Sequence, residues 1–144
     1  MNEWWRKYEK LPYKHLGNDP KTGIDCTNLN ALVLRQEKGI DVGFTSGDFC
    51  TIDNESWYNS TLKDLMLDYF DHNTDKWIRI DKDRTEPFDI ALISIGATNI
   101  TNHCAIFVEK NKLLHIMLNK KSWVSSYGRY WRQYTVRIYR WKTI

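Results

Sequence analysis

Residues 88–118 read FDIALISIGATNITNHCAIFVEKNKLLHIML, and this stretch decides the fold of the chain. It contains three apolar, β-prone runs, which are Ile90–Ile95, His103–Val108 and Leu113–Leu118. The connections between these runs are short, and residues 109–112 have the composition of a turn. Three consecutive strands with short connections predict an antiparallel meander.

The sequence before the meander predicts a helix with clear ends. Residues 17–23 are dense in turn residues and lead to Asp25, which is a good N-cap for a helix that starts at Cys26. Gly39 provides a stop for this helix, which is predicted to run for three to four turns. One face of the helix, at helical spacing, carries Leu29, Leu32, Val33 and Gln36.

Two further helices are predicted in the first half of the chain. A short amphipathic helix begins at Trp4 and is broken before Pro12. Asn59-Ser60 is predicted to cap a core helix. The apolar stripe of that helix consists of Leu62, Leu65, Met66, Tyr69 and Phe70.

The remaining elements are a short strand over 76–80, a helical turn over 128–133 and a closing strand. In the closing strand, Val136 and Ile138 are predicted to point inward, with Arg137 and Tyr139 on the opposite face. Helices therefore come first and a run of strands follows. This order predicts an α+β fold in which N-terminal helices pack on an antiparallel sheet.

The composition indicates an ordinary globular protein. The chain has 144 residues, of which 42% are hydrophobic and 27% are charged, so we expect a single domain over residues 1–144. The 14% of aromatic residues suit either tight packing or a ligand groove, and composition alone does not separate the two. Rings and cations interleave over residues 127–141, where we expect packing, with a glycan or peptide platform or nucleic-acid binding as alternatives.

Charge and cysteine content exclude several classes of partner and cofactor. The net charge of +3 gives no reason to expect a nucleic acid. An odd set of three cysteines without Cys-x-x-Cys spacing predicts neither a disulfide framework nor a zinc cluster, and we expect no metal and no other cofactor. No apolar run approaches about 18 residues, which predicts no membrane span, and the first residues do not resemble a signal peptide.

Cys26 and two histidines are the candidates for catalysis. A thiol in the first turn of a helix meets unpaired N–H groups and the positive end of the helix dipole, which favour the thiolate. Such a nucleophile needs a base and a third polar group to orient that base. His103 and His115 lie on neighbouring predicted strands, where they can stand side by side. The alternative is that all three are ordinary core residues.

Several segments, in the same order along the chain, resemble the NlpC-type family of papain-like cysteine peptidases, which cut bacterial cell-wall peptides. That family has a tyrosine-containing loop before an aspartate-cysteine-serine-glycine signature, then a proline-glycine-aspartate segment, then a histidine strand. The matching segments here are Pro12-Tyr13 with Gly17, Asp25-Cys26-Thr27 with Leu29, Pro87-Phe88-Asp89, His103–Val108, Leu114-His115, and Tyr130-Trp131 before a strand that contains Arg140.

The resemblance implies a role for each matched residue. Cys26 is the implied nucleophile, His103 the general base and His115 the residue that orients His103. The hydroxyl of Tyr13 and the backbone N–H of Cys26 are implied to bind the oxyanion, and Asp25 is assigned with Tyr13 to oxyanion and substrate binding. The departures from the family pattern are Asn28 and Ala105 in place of glycines, Leu16 in place of a loop glycine, and a long stretch over 40–86. These departures bear on groove shape and substrate choice.

The resemblance also implies a function. We expect a papain-like hydrolase that cleaves an amide bond in peptidoglycan stem or cross-link peptides through a thioester, without a metal. Similar domains are encoded by tailed bacteriophages, so we expect synthesis in the host cytoplasm, a place in the virion tail among other tail proteins, and action at the cell wall. The alternatives are a structural tail component with little or no turnover and an acyltransferase of the same superfamily.

Overall fold

The computed structural model describes residues 3–49, 64–96 and 100–143. Three α-helices are present in this part of the chain: α1 (Cys26–Lys38), α2 (Leu65–Asp71) and α3 (Arg129–Tyr134). Short 3-10 helices span Trp4–Tyr8 and Ser46–Asp48. The strands are β1 (Asn18–Asp19), β2 (Gly23–Ile24), β3 (Trp77–Arg79), β4 (Ile90–Ile93), β5 (His103–Glu109), β6 (Lys112–His115), β7 (Trp123–Ser126) and β8 (Thr135–Trp141).

The main sheet has six strands in the order β3-β8-β4-β5-β6-β7, and every neighbouring pair is antiparallel. The predicted meander is therefore confirmed as β4, β5 and β6. Leu92 pairs with Cys104, and Ile106 pairs with Leu114, which fixes the register at its centre. Strands β1 and β2 form a separate small hairpin that delivers the chain to Asp25.

Helix α1 has the boundaries that its end residues predict. The Asp25 side chain accepts a hydrogen bond from the backbone N–H of Asn28, and Gly39 ends the helix in the left-handed conformation at φ 66°. All nine residues from Cys26 to Leu34 are buried, and α1 packs against β5. The helix that carries the candidate nucleophile is therefore central to the core.

The sheet is covered on both faces. Cys104, Ile106 and Leu114 belong to the main apolar cluster, which lies on the side of α1. Ala105, Phe107 and Leu113 belong to a second cluster on the other side, against which Trp131 and Tyr134 of α3 pack. Burial on both faces explains why β4 and β5 are continuously apolar instead of alternating.

Several predicted elements differ in detail. The N-terminal helix is a 3-10 helix that ends at Tyr8, and the cap of α2 is Asp64, whereas Asn59 and Ser60 lie outside the described residues. Strand β7 was not predicted from the sequence. Among the described residues, no helix is long and apolar enough to cross a membrane.

The closing strand β8 departs from the predicted division into an inward and an outward face. Ile138 is buried in the second cluster, but Tyr139 is also buried, in the main cluster, and its hydroxyl donates to Asp71 at 2.6 Å. The predicted alternation along the strand is therefore correct, but the face that carries Tyr139 is also buried, because both faces of the sheet are covered.

Candidate active site

Cys26 is the first residue of α1, and its side chain is only 1% exposed. Its sulfur therefore lies at the positive end of the longest described helix, where the unpaired backbone N–H groups favour a negative charge. Its Sγ atom lies 4.0 Å from the Thr27 hydroxyl. The environment of this sulfur comes from three elements: its own helix, the start of β5 and the segment before the helix.

Cys104, on the α1 side of β5, contacts the candidate nucleophile. Its Sγ lies 3.8 Å from the Thr27 hydroxyl, and a hydrogen bond between the two thiols is the largest influence that lowers the pKa of Cys26 well below its usual value. The same hydrogen bond, with burial, raises the pKa of Cys104 well above its usual value. Cys104 therefore donates its S–H to a Cys26 thiolate. The sequence gave no sign of this contact.

His103 lies at the start of β5, on the face of the sheet opposite Cys104, and is fully buried. The proximity and the charge of His103 also lower the pKa of Cys26. Its Nε2 atom lies 3.2 Å from Nδ1 of His115. In the described part of the chain, Nδ1 of His103 has no hydrogen-bond partner. Since Nε2 is engaged by His115, Nδ1 is the nitrogen left for the sulfur.

His115, at the end of β6, is fully buried and continues this chain of contacts. Its Nε2 atom lies 2.9 Å from the Ser125 hydroxyl on β7. Burial, with a smaller contribution from the charge of His103, lowers the pKa of His115 to about 2. His115 is therefore a neutral imidazole at any ordinary pH, and it can orient His103 but not share its positive charge.

Two tryptophans enclose the histidine pair. The Trp123 ring lies 4.0 Å from the His115 ring, and the Trp131 ring packs edge-on at 4.5 Å from the same ring, measured between centroids. Trp131 also lies 6.0 Å from the His103 ring. Trp131 belongs to the aromatic-rich stretch 127–141, for which packing was expected, and Trp123 precedes that stretch. They limit the rotation of His115 and exclude water around it.

Asp25 directly precedes the nucleophile and is 5% exposed. One oxygen of its carboxylate caps α1 at Asn28. Burial, reinforced by the charge of Cys26, raises the pKa of Asp25 to about 7 despite hydrogen bonds from Ser46, Asn28 and Leu16. Its assignment to substrate binding stays a prediction; the contact that the structure assigns to it is the helix cap.

Tyr13 is half-buried and lies beside the segment that leads into α1. It forms a parallel bridge with Ile24, and the backbone N–H of Ile24 donates to the carbonyl of Pro12 at 2.9 Å. The Tyr13 backbone is thus held next to a residue that is two positions before Cys26. Its role as an oxyanion donor stays a prediction.

Asn28 connects the segments around the site through hydrogen bonds of its side chain. In the sequence it stood out only as a departure from a family glycine. Its Nδ2 donates to the Gly17 carbonyl at 2.8 Å and to the Ser46 hydroxyl at 2.9 Å. Its Oδ1 accepts from the Ser46 backbone N–H at 3.1 Å. One buried side chain therefore ties the first turn of α1 to the loop before it and to the 3-10 helix after it.

The structure thus brings Cys26, His103 and His115 into one contiguous set, with Asp25 adjacent. Ser125, Cys104 and Asn28 are the members that the sequence analysis missed. Within residues 3–49, 64–96 and 100–143, no group of three or more His, Cys, Asp or Glu side chains is arranged to hold a metal ion. A buried sulfur beside an imidazole, with that imidazole held by a second polar group, is an arrangement suited to nucleophilic attack on a carbonyl.

Comparison with known proteins identifies the family and the fold of the chain. The model of the NlpC/P60 family matches residues 10–140. A structure from Staphylococcus aureus, described as similar to lipoprotein and of the NLP/P60 family, superposes with a TM-score of 0.56 at 20% identity. The match covers 93% of this chain and 37% of that one, so the chain spans well under half of that protein's length.

A second similar structure is the NlpC/p60 domain of the peptidoglycan hydrolase SagA, with a TM-score of 0.54 at 19% identity. There the match covers 93% of this chain and 90% of the domain. A search of curated proteins gave no match. These likenesses confirm the predicted α+β, NlpC-type fold.

Proposed function

The chain belongs to the NlpC/P60 family, and from this premise we propose that it is a cysteine peptidase that cleaves an amide bond in the peptide part of peptidoglycan. The observation that carries the proposal is the burial of Cys26, His103 and His115 in one set, in which His103 lowers the pKa of Cys26 and its Nε2 atom lies 3.2 Å from Nδ1 of His115. The family match and the likeness to a peptidoglycan hydrolase domain support the choice of substrate.

The proposed reaction begins with a thiolate at Cys26 and an imidazolium at His103. The sulfur attacks the carbonyl carbon of the scissile amide, and the carbonyl oxygen becomes an oxyanion. When the C–N bond breaks, His103 gives its proton to the leaving amine and a thioester remains. Water then loses a proton to His103 and attacks the thioester, which releases the acid and restores the thiolate.

The oxyanion needs donors, for which we retain the Tyr13 hydroxyl and the Cys26 backbone N–H. The position of Cys26 at the start of α1 supports this choice, because the dipole of that helix favours negative charge at its N-terminus. His115, held neutral by burial, would keep the His103 ring in one orientation throughout the cycle.

One observation favours a second candidate function. Cys26 is 1% exposed and His103 is fully buried, so a substrate cannot reach the sulfur without displacement of the residues that cover it. A structural protein that retains the fold but has little or no turnover does not need an accessible sulfur. We keep this as the alternative to the enzyme.

The two candidates are separated by incubating purified cell walls with the protein and measuring newly released amino groups and peptides by mass spectrometry. The enzyme predicts release by the wild type and by His72→Ala, an exposed histidine that serves as the matched control. It predicts no release by Cys26→Ala or His103→Ala. Release that survives Cys26→Ala contradicts the cysteine mechanism, and no release by the wild type favours the structural role.

We also propose, from the sequence resemblance, that the protein acts at the bacterial cell wall as a component of a bacteriophage tail. Mass spectrometry of purified virions and of separated tails would test this. Peptides of this chain in the tail fraction support the proposal, and their confinement to the lysate of infected cells contradicts it.

An added amine acceptor in the cell-wall assay would reveal acyl transfer through a new amide product.

A further inference from the structure

We propose that Ser125 is a positioning residue, whose hydroxyl holds the proton of His115 on Nε2 and thereby leaves Nδ1 of His115 free to accept from His103. The serine does not touch the sulfur. It acts through two imidazoles in series, and for catalysis the inference rests on the proposed function. The family pattern assigns no role to this residue.

The register of the sheet places Ser125 beside His115. His115 pairs with Trp123 across β6 and β7, and Leu113 pairs with Ser125, so Ser125 is the diagonal neighbour of His115 on the same face. The resulting distance from Ser125 Oγ to His115 Nε2 is 2.9 Å. Because both residues lie within a regular antiparallel ladder, this contact is fixed by backbone hydrogen bonds and not by a loop.

The protonation of the chain of contacts follows from the state of His103. Once His103 has taken the proton of Cys26, both of its nitrogens carry hydrogen and both are donors. Its Nε2–H then requires an acceptor, and the atom at 3.2 Å is Nδ1 of His115. Since burial keeps His115 neutral, its single proton must lie on Nε2.

That proton needs an acceptor, which the half-buried Ser125 hydroxyl provides. The faces around His115 are apolar, because Trp123 and Trp131 pack on the ring. Without the hydroxyl, the Nε2–H would be an unsatisfied buried donor, so His115 would favour the tautomer with its proton on Nδ1. In that tautomer, Nδ1 cannot accept from His103, and the imidazolium loses its second partner.

The test uses three substitutions in the full chain. Ser125→Ala removes the acceptor, Ser125→Thr retains a hydroxyl in a β-branched side chain that suits a strand, and Ser126→Ala removes the neighbouring exposed hydroxyl as a control. Nitrogen-15 NMR of the imidazole rings reports which nitrogen of each histidine is protonated. Absorbance at 240 nm, against a Cys26→Ser partner of each variant, reports the thiolate fraction across pH.

We expect the wild type, Ser125→Thr and Ser126→Ala to carry the His115 proton on Nε2. Ser125→Ala should shift it toward Nδ1 and move the thiolate titration to higher pH. In cell-wall cleavage its kcat should fall roughly tenfold to a hundredfold, the factor expected for one unsatisfied buried donor, with little change in KM. An unchanged tautomer together with an unchanged thiolate titration in Ser125→Ala would overturn the inference.

Two features keep the outcomes distinct. The NMR and absorbance measurements need no substrate, so a wild type that cleaves nothing, together with the expected shifts in Ser125→Ala, contradicts only the proposed function. If Ser125→Ala does not fold, Ser125→Cys preserves most of the volume with a much poorer acceptor and is predicted to show the same shift of tautomer. Asp25, Cys104 and His103 are the other titratable groups at the sulfur among the described residues, His115 lies behind His103, and all are common to every variant.

Discussion

The carboxylate of Asp25 accepts a hydrogen bond from the backbone N–H of Asn28 at 2.9 Å, and so the residue before the nucleophile is also the cap of its helix. Capping a helix favours a charged carboxylate, whereas burial and the charge of Cys26 oppose it. Because the opposing effects are larger, the pKa of Asp25 rises to about 7. The cap is therefore a group that changes charge near neutral pH.

Replacement of Asp25 by Asn is predicted to stabilise the protein more at pH 7.5 than at pH 4.5. The raised pKa means that protonated Asp25 contributes stability below about pH 4, and this contribution is lost as the pH rises through about 7. Asn caps a helix without ionising. Urea unfolding at both pH values measures the difference in free energy of unfolding between the variant and the wild type. This difference should grow by up to about 1.4 kcal/mol per pH unit between about pH 4 and pH 7. Asp41→Asn is the control, because Asp41 also accepts a backbone N–H but is exposed; equal effects of Asp25→Asn at the two pH values would contradict the prediction.

Replacement of Cys104 by Ala is predicted to raise the pKa of Cys26. The thiol of Cys104 is the largest influence that lowers that pKa, so its removal leaves the thiolate with His103, the backbone N–H of residue 104 and the helix N-terminus. Cys104→Ser keeps a donor at the same position and should preserve most of the thiolate. The thiolate fraction is measured as absorbance at 240 nm across pH, against matched Cys26→Ser variants. Identical titrations for Cys104→Ala and the wild type would show that the second thiol has no part in activating the first.

Local signals in the sequence predict α1 and the meander correctly, because Asp25, Gly39 and the apolar runs act within a few residues of their own position. The proximity of the His103 and His115 side chains follows from a single hairpin, so it could also be predicted from the sequence. Strand β7 was missed because Trp123–Ser126 is short, half-buried and has no apolar period to detect. Ser125 was missed with it.

Other features depend on contacts that a single sequence does not encode locally. Cys104 contacts Cys26 only because the N-terminus of α1 lies over the start of β5. Asn28 hydrogen-bonds to Ser46, which lies 18 residues later in the chain. The burial of Tyr139 follows from the covering of both faces of the sheet, which the local sequence does not indicate. In each case the tertiary arrangement, and not local propensity, decides the environment of the side chain.

Replacement of His115 by Asn is predicted to reduce the loss of stability in acid. The pKa of His115 falls to about 2 in the folded protein from an ordinary value near 6.5, so unfolded chains bind a proton that folded chains do not. The contribution of His115 to the free energy of unfolding is thus complete above about pH 6.5. It is lost as the pH falls, by up to about 1.4 kcal/mol per pH unit. Urea unfolding between pH 7 and pH 4 should show a shallower decline for His115→Asn than for the wild type. His72→Asn, at an exposed histidine, should retain the wild-type slope; equal slopes for all three proteins would contradict the prediction.

Replacement of Asn28 by Gly is predicted to destabilise the fold strongly, even though glycine is the family residue at this place. Three side-chain hydrogen bonds to Gly17 and Ser46 are lost, at about 1 kcal/mol each, and a buried Ser46 N–H is left without its acceptor. Arg35→Gly, at an exposed position of the same helix, measures the cost of glycine alone. We expect Asn28→Gly to lower the free energy of unfolding by about 3 kcal/mol more than Arg35→Gly. Similar losses for the two variants would mean that these hydrogen bonds contribute little.

Replacement of Tyr13 by Phe tests the proposed oxyanion site. If the Tyr13 hydroxyl donates to the oxyanion, its loss should lower kcat by on the order of a hundredfold or more, because such a donor is worth about 3 kcal/mol in the transition state. KM should change little, since the interaction arises only when the charge develops. Tyr8→Phe is the matched control: its hydroxyl hydrogen-bonds to Gln36 and Glu37, near the C-terminal end of α1 and far from Cys26 along the helix. Cleavage of cell-wall peptides by Tyr13→Phe at the rate of Tyr8→Phe would remove Tyr13 from the chemistry and leave backbone N–H groups at the start of α1 as the donors.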